Sequence, residues 1–132
     1  MEKKKITISV VVPVYCAEKT LPELEERLRA TLTMICSEYE IILVNDGSTD
    51  ESWKVIASLA EKNSDVRGIN LMRNYGQHNA LLAGLRNARY EICATMDDDL
   101  QHDPACITVL LAKLQKGFDV VDGAPMTEKH GL

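Results

Sequence analysis

Residues 41–52 read IILVNDGSTDES, and this stretch decides the fold. The run IILV is rich in β-branched side chains and too short for a helix, so it reads as a buried strand. Asn45, Asp46 and Gly47 end it in a turn. Ser48, with Glu51 three residues on, makes a capping box for a helix that carries Trp53, Ile56 and Ala60 on one face. A strand, a tight turn and a helix make up the unit from which parallel sheets are assembled.

The same unit recurs on either side. Residues 6–12 (ITISVVV) form a β-branched strand ended by Pro13. Thr20 and Glu23 make a capping box for a helix with Leu21, Leu24, Leu28, Leu32 and Ile35 at helical spacing, and Pro22 is acceptable in its first turn. A weaker strand lies within residues 66–72. Residues 79–88 (NALLAGLRNA) form an apolar helix in which Gly84 costs about 1 kcal/mol relative to alanine, a cost that close packing on a strand would explain. Residues 90–96 (YEICATM) give a fourth strand. Pro104 opens a helix with Ile107, Leu110, Leu111 and Leu114 on its core face, and residues 118–121 (FDVV) give a fifth strand. Alternation from end to end predicts a mainly parallel sheet with helices on both faces, in one domain over residues 1–132. The tail GAPMTEKHGL has no periodicity and predicts no final element, so the chain reads as truncated.

Composition narrows the function. The chain has 132 residues, is 45% hydrophobic and carries a formal charge of −5, as a soluble globular domain does. Without a basic stripe it is not expected to bind nucleic acid. A phosphate-bearing small ligand remains compatible, because a divalent cation reverses the local sign. Cys16, Cys36, Cys93 and Cys106 form no CxxC pair and read as small buried hydrophobes in a reducing compartment, rather than as disulfides or a zinc site. The apolar run after the basic start is short for a signal sequence and far too short to span a bilayer, so a cytoplasmic location is expected.

In an open α/β sheet the ligand binds beyond the carboxyl ends of the strands. PVYCAE, NDGSTD, RNYGQHN and DDDLQHD all fall there. If DDD runs extended, Asp97 and Asp99 share a face and Asp98 points away. Such a pair can chelate Mg²⁺ or Mn²⁺, with Gln101 adding a carbonyl oxygen, or it can be a solvated acidic turn. Asp103, before Pro104, fits a helix N-cap. Asp46 fits both an Asx-turn and a carboxylate that accepts hydrogen bonds from a nucleobase. The residues alone leave these alternatives open.

Four stretches, VVVPVYCAEKTL, IILVNDGSTDES, RNYGQHNALLAGLRNA and TMDDDLQHDP, together resemble the family 2 glycosyltransferases over residues 8–123. The likeness is greatest to the subgroup that transfers sugars to polyprenyl phosphates, which includes dolichyl-phosphate mannose synthase. The resemblance implies a GT-A fold and an inverting transfer from a UDP- or GDP-sugar. It places Pro13, Tyr15, Glu18, Asp46, Arg73, Asp97 and Asp98 around the donor nucleotide. It gives Asp97, Asp99 and Gln101 to a Mg²⁺ or Mn²⁺ ion. Cys16 stands where the family usually has Asn. Family members continue well past this length, so the acceptor site, any catalytic base and the membrane helices are expected beyond it. This part is therefore expected to bind nucleotide weakly and catalyse little. Two rival readings are a receiver-like signalling domain, which should carry its acidic pair after the first strand, and a non-catalytic nucleotide-binding module of the same fold.

Overall fold

A computed structural model describes residues 6–101 and a short strand at 126–128. The elements run β1 (Thr7–Val14), α1 (Leu21–Ile35), β2 (Glu38–Asn45), α2 (Ser52–Lys62), β3 (Val66–Asn70), α3 (Gln77–Arg86), β4 (Ile92–Thr95) and β5 (Met126–Glu128). The sheet order is β3-β2-β1-β4-β5. The first four strands are parallel, and β5 pairs antiparallel with β4 through Cys93↔Thr127. A strand at 126–128 corrects the expectation of a featureless tail. The helix expected after Pro104, the Asp103 cap, Cys106 and the strand expected at 118–121 lie outside the described residues.

Side-chain alternation divides the core into two layers. Ile8, Val10, Val12 and Val14 of β1, with Ile41 and Leu43 of β2, pack under α1 and α2. Val11, Ile42 and Val44 point the other way, onto Ala80 and Leu85 of α3. Helices therefore cover both faces, as the alternation predicts. Leu21, Leu24, Leu28 and Leu32 of α1 are fully buried, each contributing about 1.5–3 kcal/mol of apolar burial. A Cβ on Gly84 would overlap Val11 and press on Val44, so the helical glycine is explained by α3 lying directly on the sheet.

Three local expectations fail for identifiable reasons. Pro13 does not end β1, which continues to Val14 in register with β2. Its nitrogen faces the β4 side, where pairing stops at Val11↔Thr95, so the missing N–H falls at the end of that ladder. Neither capping box forms. The Thr20 hydroxyl donates to Asp98 O (2.6 Å) and Ala17 O (3.3 Å) instead of capping α1. Ser48 lies outside α2, whose N-cap position is Glu51, and its hydroxyl accepts from the Cys16 N–H at 2.9 Å.

The order of the parallel strands is that of a doubly wound fold with its switch point between β1 and β4. A receiver-like domain has the order 2-1-3-4-5, so that rival reading falls.

Candidate functional site

Residues following β1, β2 and β4, with the start of α3, meet at this switch point. Pro13, Val14, Tyr15, Asp46, Gln77, Asp97, Asp98 and Asp99 line a cleft of about 230 Å³. A second depression beside it is lined by Cys16–Thr20, Asp50, Asp98 and Asp99, and it takes in Glu18.

The turn after β2 builds one wall. Asp46 is buried, and its Oδ1 accepts the Tyr75 N–H at 2.7 Å. Gly47 sits at φ +69°, and a Cβ there would overlap the backbone of Arg73 and Asn74. Only glycine lets the β2 turn and the β3 loop approach so closely. Residues 48–52 then catch successive N–H groups of the β1 loop. Ser48 Oγ takes Cys16 N–H, Ser52 Oγ takes Ala17 N–H at 2.9 Å, and Asp50 Oδ2 takes Glu18 N–H at 3.3 Å. Burial pushes the Asp50 pKa up, but hydrogen bonds donated to its carboxylate by the Ser52 hydroxyl, the Ser52 N–H (2.9 Å) and the Glu18 N–H outweigh it and hold the carboxyl below its ordinary value. Cys16 is exposed, which corrects the expectation that it is a buried hydrophobe. It adopts φ +51°, where asparagine is more at home than cysteine. Cys36 and Cys93 are buried as expected, and burial pushes the Cys36 thiol up to about 11.

The acidic run builds the opposite wall, but not by strand alternation. β4 ends at Thr95, residues 98–100 bend, and Leu100 takes φ +64°. All three aspartates consequently reach the same cleft, each with its own partner. Asp97 Oδ1 accepts from Gln77 Nε2 at 3.0 Å. Asp98 Oδ2 accepts the Tyr15 N–H at 2.8 Å. Asp99 Oδ1 accepts the Gln101 N–H at 3.1 Å. Burial is the main influence raising the Asp98 pKa, and the neighbouring Asp99 and Asp97 charges add to it. The Tyr15 hydrogen bond opposes both without cancelling them.

The structure thus gathers Pro13, Tyr15, Asp46, Asp97, Asp98 and Asp99 at one cleft and puts Glu18 in the adjoining depression. Arg73 lines neither; its guanidinium lies over the Tyr75 ring at 5.2 Å. Gln101 lines neither and meets Asp99 through its backbone. Gln77 is a cleft residue that the sequence did not single out, although its stretch RNYGQHN lies at a strand end. Among the described residues no three His, Cys, Asp or Glu side chains converge as a metal cage. Carboxylates of Asp97 and Asp99 on one cleft nonetheless suit a hard cation whose remaining ligands are water and substrate phosphate.

Sheet order, switch-point cleft and carboxylate lining define a Rossmann-like α/β domain with a ligand edge at the strand carboxyl ends. Its sequence matches the glycosyl transferase family 2 model over residues 9–131, and the chain belongs to that family. It is 46% identical over 115 residues to the undecaprenyl-phosphate 4-deoxy-4-formamido-L-arabinose transferase of Shewanella sediminis, covering 86% of this chain and 35% of that protein. The Enterobacter enzyme of the same name is 44% identical with the same coverage. The chain thus spans about a third of the length of these curated relatives. Staphylococcus aureus TarS 1-349 in complex with UDP is similar in structure, with TM-score 0.68 and 25% identity, covering 84% of this chain and 32% of that one. Glucosyl-3-phosphoglycerate synthase from Mycobacterium tuberculosis, solved with Mn²⁺, UDP and phosphoglyceric acid, has TM-score 0.68 at 22% identity, over 86% of this chain and 40% of its own. Among the described residues no helix is long and apolar enough to cross a membrane.

Proposed function

We propose that this chain is the donor-binding part of an inverting glycosyltransferase that uses a UDP- or GDP-sugar and passes the sugar to a polyprenyl phosphate. The observation that carries the reading is the cleft itself: in a family 2 chain, Asp46 and the three consecutive aspartates come from two strand ends to one switch point. Asp97 and Asp99 hold Mg²⁺ or Mn²⁺, with Gln101 available as a further oxygen donor. When bound, the cation offsets the negative charge that grows on the departing nucleoside diphosphate. Pro13, Tyr15, Glu18 and Asp46 surround the nucleoside, and Asp46 takes hydrogen bonds from base N–H groups. Arg73 lies toward the donor phosphates, provided its side chain leaves the Tyr75 ring. A phosphate acceptor is already anionic, so this chemistry needs no general base. The names of the curated relatives support the polyprenyl-phosphate acceptor.

Isothermal titration with UDP and with GDP, each with and without Mn²⁺, tests the reading. Binding of one nucleotide that Mn²⁺ strengthens, and that Asp99→Asn loses, is the expected result. Equal affinity with and without the metal would favour a nucleotide-binding module without transferase chemistry.

A further inference from the structure

Thr20 has the sequence context of a helix cap, and the hydroxyl of such a cap is worth about 1 kcal/mol to its helix. It gives that up to donate to the main-chain oxygen of Asp98 at 2.6 Å. At the other end of the same loop, the Tyr15 N–H donates to the carboxylate of Asp98 at 2.8 Å. One residue therefore accepts from both ends of the 15–20 segment. That carboxylate is kept half-buried between Asp97 and Asp99, where like charges oppose it. Local preferences overridden at one point, by contacts roughly eighty positions apart in the chain, mark a place where geometry outranks local stability.

We propose that Asp98 is a positioning residue, not a direct ligand: it ties the loop on the nucleoside side of the cleft to the aspartates on the diphosphate side. This rests on the nucleotide-sugar reading above. Asp98 lies between Asp97 and Asp99 in the chain, so any ligand that fixes that bend also fixes Tyr15 and Thr20. Loop 15–20 is thereby preorganised for the nucleoside, and less of the binding energy goes into ordering it.

Lys19 is exposed inside the clamped loop, so trypsin cleavage after it reports the clamp directly. Asp98→Ala and Thr20→Val are expected to speed that cut about tenfold, the equivalent of about 1.4 kcal/mol of local opening. Asp98→Asn and Thr20→Ser keep an acceptor or a hydroxyl and should stay near the wild-type rate. Cleavage after Lys62, at the end of α2, should not change. With Mn²⁺ and the nucleotide that binds, the Lys19 cut should slow further in the wild type but not in Asp98→Ala. An unchanged Lys19 rate in Asp98→Ala, or equal acceleration at Lys19 and Lys62, overturns the clamp while leaving the nucleotide reading intact. A wild-type chain that binds neither UDP nor GDP overturns the positioning role together with the reading it rests on, even if Lys19 is protected.

Discussion

At the amino edge of the sheet, the buried carboxylate of Glu40 is surrounded by donors: Ser9 Oγ and Arg89 N–H at 2.6 Å on one oxygen, Arg67 at 2.7 Å on the other. Arg67 also reaches the Asn87 carbonyl, so this cluster fastens the end of α3 to the strands. Burial resists the ionisation of Glu40, but its hydrogen bonds from Arg89, Ser9 and Arg67 prevail and the pKa falls. Six residues further along β2, roughly 20 Å away, the carboxyl edge does the reverse. Asp46, Asp97, Asp98 and Asp99 form no ion pair among the described residues, and the Asp98 pKa rises. All four positive-φ residues among those described, Cys16, Gly47, Gly76 and Leu100, lie in loops at this edge. One edge satisfies its charge and relaxes its backbone; the other leaves both unsettled. Uncompensated charge and strain on a fold that could do without them point to a ligand that supplies the missing counter-charge.

The contrast can be broken most forcefully at the amino edge. Glu40→Ala strands Arg67 and the buried Ser9 hydroxyl and should cost about 3 kcal/mol of unfolding free energy; a urea midpoint close to wild type would mean that the cluster is not the fastening inferred. Next comes Asp99→Asn at the carboxyl edge. It is expected to weaken Mn²⁺-dependent nucleotide binding by at least tenfold, about 1.4 kcal/mol, while leaving the urea midpoint within about 0.5 kcal/mol. Chelation of the metal with EDTA should reproduce that loss in the wild type.

Smaller effects sharpen the comparison. Cys16→Asn puts a residue that tolerates φ +51° into the left-handed position, and a gain of about 0.5–1 kcal/mol in stability is expected. Acid titration separates the edges by sign. The folded pKa of Glu40 is lowered, so its contribution is present above 4.5 and is lost as pH falls through the folded value. The Asp98 pKa is raised, so its ionisation removes stability as pH climbs above 3.8. Urea midpoints from about pH 3 to pH 7 should therefore show a shallower acid loss in Glu40→Gln. The same series should show a smaller decline toward neutrality in Asp98→Asn. Identical profiles for both variants would dissolve the distinction between the edges.

Local pattern carried much of this architecture. The β-branched runs gave β1 and β2, the leucine spacing gave α1, and Gly84 signalled a close helix–sheet contact. Longer-range demands account for what the sequence hid. Thr20 and Ser48 had the right neighbours for capping, but their hydroxyls were taken by Asp98 and Cys16 from other loops. Strand alternation put Asp98 on the wrong side because β4 stops at Thr95 and a bend follows, so the aspartates do not run extended. Glu40 drew no attention in EYEIILV. Its partners stand 31, 27 and 49 positions away, and only the folded sheet brings them together. Gln77 escaped for the same reason, since its partner Asp97 is 20 positions distant.

The central position of β1 also constrains the order of events during folding. β2 follows β1 closely in the chain, but the other neighbour of β1 is β4, and Tyr90 bonds back to Ser9 across 81 positions. Until β4 arrives, one edge of the eight-residue strand β1 stays unpaired. Closing so long a loop is slow compared with forming α1 or the β1–β2 pair. The nascent chain is therefore most prone to mispairing after β2 is in place and before β4 has joined β1.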